Sequence, residues 1–244
     1  MRQLGRSNAK FELIGEGDRV AVALSGGKDS LTLLHALCEQ RRRAPFSFEI
    51  IAVTIGYGMG EDFTHLIGHC KEHDIKHVLR DSSIYETSKD KIRKNSSFCS
   101  FFSRMRRGYL YSVAEELGCN KLALGHHLDD AVESFFMNMI YNGQLRSMSP
   151  KYLSDRGIMV IRPLIELRER QLRACADENG WQVIGDEACP AMRFDIKMPH
   201  ARATMKNMLA DMEDQYPDIF QSIRASFGNI SDESFFDKER FRVS

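Results

Sequence analysis

The sequence predicts an α/β fold: a doubly wound parallel sheet of about five strands with helices on both faces, followed by a helical C-terminal extension. Three observations lead there. Short apolar runs alternate with stretches of helical periodicity over most of the chain. The two most unusual segments, residues 25–30 and 125–130, each directly follow a predicted strand, where parallel sheets bind ligands. After about residue 190 the alternation stops and only helical patterns remain.

The elements follow in order. Residues 20–24 (VAVAL) are an apolar run ending in Ser-Gly-Gly, a buried strand meeting a loop. Residues 29–40 place apolar side chains at 31, 33, 34 and 37, a helical spacing. Residues 49–54 (EIIAVT) read as a second strand, 64–73 as a helix and 76–79 as a third strand. A helix over 103–117 is stopped by Gly118. Residues 121–124 form a fourth strand, 129–141 a helix, and 159–161 a fifth strand ended by Pro163. A helix over 166–179 has Gly180 just past its end, and 203–211 and 218–227 look helical. The expected division is an α/β ligand-binding domain over 1–190 and a helical extension over 191–244 packed on it, with a loose polar tail.

Composition narrows the classes. The chain has 244 residues, 43% hydrophobic and 28% charged, which excludes collagen, wholesale disorder and a small disulfide scaffold. Lys+Arg and Asp+Glu are both 34, so net charge carries no information on partners. No apolar leader and no stretch near the ~18 residues of a membrane span is visible, so a cytoplasmic protein without a membrane partner is expected. The six cysteines, 38, 70, 99, 119, 175 and 189, contain no CxxC pair and read as reduced thiols.

Two segments carry phosphate and metal chemistry. In Ser25-Gly26-Gly27-Lys28-Asp29-Ser30 the glycines let the backbone turn tightly and approach a ligand. The following helix offers free N–H groups and a positive dipole end, Lys28 a point charge, and Ser25 and Ser30 hydroxyls. Asp29 beside phosphates points to bound Mg2+. The plainer reading is a Gly-Gly turn with Asp29 helping to cap the helix. This is not the GxxxxGK[ST] loop, so that mechanism does not transfer. In Gly125-His126-His127-Leu128-Asp129-Asp130 two imidazoles and two carboxylates suit metal binding or proton transfer, or simply a capped helix start with Glu133 in its first turn. Arg162, before Pro163, sits at the expected binding edge and suits a phosphate.

SGGKDS after an apolar strand, with Leu4-Gly5-Arg6, residues 16–20 (EGDRV), GHHLDD with Glu133-Ser134, Arg162-Pro163-Leu164 and Lys206-Asn207-Met208-Leu209, resembles the PP-loop ATP pyrophosphatases of the tRNA 2-thiocytidine synthetase family over about residues 4–228. The related lysidine synthetases match the loop and the RPL segment but less of the rest. The resemblance implies cleavage of ATP to AMP and pyrophosphate, adenylation of a base carbonyl oxygen, and displacement of AMP by sulfur. It implies that Ser25, Gly26, Gly27, Lys28, Asp29, Ser30, Gly125, His126, Asp130 and Arg162 bind ATP, that Lys28 and Asp29 are catalytic, and that Asp29, Asp129 and Asp130 hold Mg2+. Its partners would be tRNA and a sulfur donor; oligomeric state, a homodimer included, stays open.

The same family holds a [4Fe–4S] cluster on three thiolates, two of them in a CxxCSRLRRG segment. Here the corresponding segment begins at Cys99 and reads CSFFSRMRRG, and Phe102 stands at the second ligand position. Cys189 matches the downstream ligand, so Cys99 and Cys189 remain as candidate cluster ligands or sulfur-handling thiols. A phenyl ring cannot bind iron. Three ways forward stay open: a persulfide and resolving pair, a third ligand from elsewhere such as Cys70 or a histidine, or loss of the sulfur chemistry. Cys38, Cys119 and Cys175 read as small buried hydrophobes. A second departure follows the strand EIIAVT, where the family's Leu-Asp-Gln is replaced by residues 55–60, IGYGMG, expected to be a mobile loop at the mouth of the ATP site.

Charge is unevenly placed. Residues 89–107 hold seven bases, Lys89, Lys91, Arg93, Lys94, Arg104, Arg106 and Arg107, against Asp90, with Phe98, Phe101 and Phe102 interleaved. That pattern suits single-stranded RNA, and equally a solvated helix face over core rings. Arg41-Arg42-Arg43 adds a second cluster, whereas residues 211–239 carry eight acids and two bases. Three functions remain: an ATP-dependent tRNA thiolase, an adenylating enzyme acting on a small non-tRNA substrate, and a non-catalytic nucleotide- or RNA-binding paralogue.

Overall fold

The structure, a computed structural model, describes residues 2–87, 98–184, 200–231, 234 and 236, without the side chains of 98–100 and 200. Its strands are β1 (Arg19–Ala23), β2 (Glu49–Ile55), β3 (His77–Arg80), β4 (Lys121–Ala123), β5 (Lys151–Leu153) and β6 (Met159–Ile161). Its longer helices are α1 (Arg2–Phe11), α2 (Lys28–Arg43), α3 (Thr64–Glu72), α4 (Phe98–Glu116), α5 (Leu128–Asn142), α6 (Glu169–Glu178), α7 (His200–Gln215) and α8 (Ile219–Ser226).

The strands form one sheet in the order β3-β2-β1-β4-β6-β5. All neighbours are parallel except β5 against β6. Side chains alternate between the two faces as the pleat requires. Val20, Val22, Ile50 and Ala52 join one core cluster with Leu31, Leu33, Leu34 and Leu37 of α2, Leu66 of α3 and Leu172 of α6. Ala21, Ile51, Val53 and Leu122 join the other with Phe102, Leu110 and Val113 of α4. Strands buried on both faces explain the continuous apolar runs.

β1 has β2 on one side and β4 on the other, so the chain reverses its direction of progress there. In open α/β sheets the crevice at such a switch point, beyond the carboxyl ends of the strands, is where ligands bind. The loops after β1 and β4 are the two segments singled out by their composition.

The sheet has six strands rather than about five. The extra strand, β5, is a three-residue antiparallel edge with two exposed side chains, too short to show a period. α1 was not expected: its apolar residues are few, and Ser7, Lys10 and Gln3 tether it instead to Glu166. Glu166 therefore lies outside α6, which starts at Glu169 after a turn following Pro163. α4 begins at Phe98, earlier than 103. Among the described residues no helix is long and apolar enough to cross a membrane.

The chain divides into two compact units, residues 1–131 with 148–200, and residues 132–147 with 201–244. Within the second, Arg202 donates to Glu133 at 2.9 Å and the rings of Phe135 and Phe227 meet edge to face with centroids 5.3 Å apart.

Candidate active site

The loop after β1 is built around Ser30. Its buried hydroxyl accepts from the Ser25 and Gly26 amides at 3.2 and 3.1 Å and from the Ser25 hydroxyl at 3.2 Å, and donates to the Gly27 carbonyl at 2.9 Å. Gly26 has φ +86°, a left-handed conformation that disfavours any residue with a Cβ. Gly27 is the N-cap of α2 and makes no side-chain cap, so the first-turn amides are left for an anion. Ser30 thus braces the loop internally by taking up the Ser25 and Gly26 amides, and the first-turn amides of α2 face the open end of the loop.

Lys28 sits 3.2 Å from Asp29 and 3.0 Å from Glu169 at the start of α6. Burial disfavours its charge, but the two carboxylates outweigh that and raise its pKa. Asp29 shifts upward because desolvation exceeds the attraction of Lys28 and His127. Its Oδ1 is buried with no hydrogen-bond partner. An orphaned buried carboxylate oxygen costs free energy unless something binds it.

The loop after β4 approaches from the other side of the switch point. A Cβ on Gly125 would lie 3.3 Å from the Asp29 backbone, so the two loops are in close contact. His127 is the N-cap residue of α5. Asp130 accepts from the His127 amide at 3.1 Å, and its own amide donates to His127 Nδ1 at 3.4 Å, a reciprocal cap. The buried His127 ring faces Asp29 at 3.9 Å, Asp129 at 3.6 Å and Asp130 at 3.4 Å. Burial opposes its charge, yet the three carboxylates raise its pKa.

Asp129, besides facing the His127 ring, is held from α6. Its Oδ1 accepts from Arg168 Nε at 3.1 Å and its Oδ2 from the Glu169 amide at 2.7 Å. Burial opposes ionisation, but His127, this amide and Arg168 hold it at about 2. Asp129 therefore fastens the start of α6. The orphaned Asp29 Oδ1, with Asp130 on the same imidazole, is the better fit to a divalent cation.

Arg162 is buried, unlike a surface strand-end charge. It donates to the Ser149 carbonyl at 2.6 Å and to His126 Nδ1 at 3.2 Å, and its guanidinium lies 5.2 Å from the Tyr152 ring centroid. Burial and the adjacent Arg162 push His126 down to about 4. His126 is a neutral ring whose Nδ1 is an acceptor.

The basic stretch is partly described. Arg104 and Arg107 are exposed on α4, whereas Arg106 donates to the Tyr57 hydroxyl at 3.3 Å. Lys91, Arg93, Lys94 and Cys189 lie outside the described residues, and Cys99 is placed on α4 by its backbone alone. Phe102 is a core residue, 8% exposed, edge-on to Tyr57. Cys70 packs in the core on the opposite face of the sheet from Phe102, its thiol pushed up to about 11 by burial, so it cannot stand in at that position.

The loop expected to be mobile is hydrogen-bonded. Glu61 accepts from the Tyr57 and Met59 amides at 2.7 and 2.9 Å, and Ser82 donates to the Gly56 carbonyl at 2.6 Å. Gly58, at φ +80°, passes so close to the Ser82 carbonyl that a Cβ would sit 2.7 Å from it. Fit, not slack, selects that glycine. Sequence reasoning missed Glu169, Arg168 and Tyr57; acids and bases near helix ends and a lone loop tyrosine are too common to signal a site.

A doubly wound sheet whose switch point carries an uncapped Gly-Gly-Lys helix start and a cluster of half-buried carboxylates defines a phosphate-binding α/β domain. Comparison with known proteins gives the family. The profile described as "PP-loop domain" matches residues 3–199. The tRNA-cytidine(32) 2-sulfurtransferase of Geobacter metallireducens is 42% identical over 243 residues, 98% of this chain and 93% of that protein. The same-named protein of Syntrophotalea carbinolica is 43% identical over 235 residues, 96% of this chain and 89% of that one. The U34-tRNA thiolase NcsA from Methanococcus maripaludis, solved with its [4Fe-4S] cluster, shares the fold with a TM-score of 0.75 at 23% identity, over 93% of this chain and 77% of that one. The chain belongs to the PP-loop family, in the branch of these 2-sulfurtransferases.

Proposed function

We propose that this chain is an ATP-dependent tRNA-modifying enzyme that adenylates a base carbonyl oxygen and replaces it with sulfur; its relatives are named as tRNA-cytidine 2-sulfurtransferases. The observation that carries the reading is the meeting of Lys28, Asp29, His127 and Asp130 at the switch point of the sheet.

In this reading the first-turn amides of α2, from Lys28 on, and the Lys28 ammonium hold the phosphates of ATP, with Arg162 and His126 at the next strand end. Asp29 and Asp130 are the residues that would hold Mg2+, whose charge offsets that of the phosphates. The base oxygen attacks the α-phosphorus and pyrophosphate leaves. A sulfur nucleophile then adds to the base carbon, and AMP departs with the oxygen. An amide-like oxygen leaves poorly and AMP leaves well, which is why ATP is needed. Positioning and charge stabilisation are the protein's share. Arg104 and Arg107, with Lys91, Arg93 and Lys94, are assigned to tRNA phosphates.

The residues present do not fit the three-thiolate cluster of the family, because Phe102 is a packed core ring where the second ligand would stand. Cys99 and Cys189 suffice for a persulfide route. The terminal sulfur of a cysteine persulfide attacks the activated carbon and AMP leaves. The second thiolate then attacks the inner sulfur, which releases the thiolated base and leaves a disulfide. A sulfur donor and a thiol reductant restore the pair.

Labelled ATP with Mg2+, incubated with and without bulk tRNA and a sulfide or persulfide donor, tests the proposal. AMP and pyrophosphate should rise with tRNA, and thiolated cytidine should appear in tRNA digests. AMP that ignores tRNA would move the assignment to a small substrate, and no AMP at all would leave a nucleotide- or RNA-binding paralogue.

A further inference from the structure

Away from this site, three imidazoles converge between α2 and α3. His35 lies two turns along α2, seven residues after Lys28; His69 lies in the last turn of α3 and His73 is its C-cap residue. His69 and His73 are four apart, the spacing that puts two side chains on one helix face. Their ring centroids are 4.6 Å apart, and that of His35 is 5.0 and 4.8 Å from them. One ring nitrogen from each lies within 4.8 Å of the others, and the Nε2 atoms of His35 and His69 are 2.7 Å apart. Nitrogens bound to a tetrahedral ion at ~2.0–2.1 Å stand about 3.4 Å from one another. The observed spread brackets that value, so side-chain adjustments of under an ångström or so would close the site.

From this geometry we infer that His35, His69 and His73 form a binding site for one divalent transition-metal ion. Three imidazoles without a carboxylate or thiolate select the borderline ions, Zn2+, Co2+, Ni2+ and Cu2+, over Mg2+ or Ca2+. His73 is exposed, which leaves a path for the ion and room for a water as fourth ligand. The site joins two helices that share one apolar core. None of the three histidines belongs to the nucleotide site.

Trp181 supplies the readout. It is the chain's single tryptophan, and it stacks on His35 with centroids 4.5 Å apart at 16°. A paramagnetic ion on His35 would quench it. Tag-free protein is titrated with Co2+ while Trp181 emission is followed, and the metal bound is counted by equilibrium dialysis. We expect one equivalent per chain, emission reduced by more than half, and reversal by Zn2+. His73→Ala, an exposed position where folding is safe, and His69→Ala should each weaken uptake and quenching about ten-fold or more, given that outer-sphere losses alone reach that range. Circular dichroism confirms that both variants are folded. Absence of stoichiometric uptake, uptake without quenching, or uptake unchanged in His73→Ala would each overturn the assignment.

Discussion

Tyr57 sets its ring edge-on against Phe102, centroids 4.8 Å apart and planes at 69°. The two residues stand at the two places where the chain departs from the thiolases it resembles, the loop after β2 and the second cluster-ligand position. The two positions are therefore in direct contact. Phe102 fills apolar volume beneath α4, and Tyr57 covers it while Arg106 donates to its hydroxyl.

A double-mutant cycle measures this. Phe102→Ala should cost about 3–5 kcal/mol in urea unfolding. Coupling to Tyr57→Ala should be about 0.5–1.5 kcal/mol, the usual worth of an aromatic pair beyond area burial. Additive losses would mean that the two rings do not support each other. Phe102→Cys, purified anaerobically, should retain more iron than the parent.

Asp29 is expected to separate activity from stability. Asp29→Asn should lower AMP formation by about 10²-fold or more, the scale of losing a charge-stabilising group. Because burial raises the carboxyl's pKa, the ionised form is disfavoured in the fold, and the neutral amide should leave the thermal midpoint unchanged or slightly higher. A large drop in midpoint would make Asp29 structural instead.

Ser30→Ala should destabilise by about 1–3 kcal/mol, since the Ser25 and Gly26 amides lose a buried acceptor. Ser25→Ala removes only one donor to Ser30 and should cost less than about 1 kcal/mol. ATP affinity should fall in both. Equal stability losses would show that Ser30 is not the brace.

Asp129, held at about 2, links stability to acid. Its folded pKa lies below its ordinary value of 3.8, so its contribution is fully present above about pH 4 and lost as pH falls through about 2. The shift corresponds to about 2 kcal/mol. Asp129→Asn should lower stability at neutral pH and flatten the profile in that window, as followed by chemical denaturation.

His126 and His127 should titrate in opposite directions from the ordinary 6.5. Imidazole NMR should find His126 near 4, beside Arg162, and His127 above 6.5, amid three carboxylates. Asp130→Asn should lower the His127 value and leave His126 below 6.5. Coincident titrations would mean that the two rings do not face such different surroundings.

Much of the fold was legible because it is written in local patterns. VAVAL and EIIAVT read as two-face-buried strands, and Gly118 and Gly180 do follow helix ends at positive φ. β5 was illegible because three residues carry no period, and α1 because Ser7, Lys10 and Gln3, not an apolar stripe, hold it to Glu166. Within the site, the Gly-Gly-Lys loop was legible from composition, but Ser30's turn inward was not, since a hydroxyl's partner depends on loop geometry.

By itself, the sequence determined which residues can supply phosphate, cation and thiol chemistry, and that two such segments end strands. It also recorded that Phe102 cannot ligate iron, a matter of side-chain chemistry needing no coordinates. Only the tertiary structure decided who meets whom. The order of strands put β1 beside β4, so Asp29 meets the His127 ring beside Asp129 and Asp130, and Asp129 also reaches Arg168 and the start of α6. It also brought Glu169 to Lys28, and Tyr57 to Phe102. Propensity and periodicity act over a few residues along the chain, whereas these encounters join segments far apart in it and are fixed by how the sheet is ordered and its faces packed.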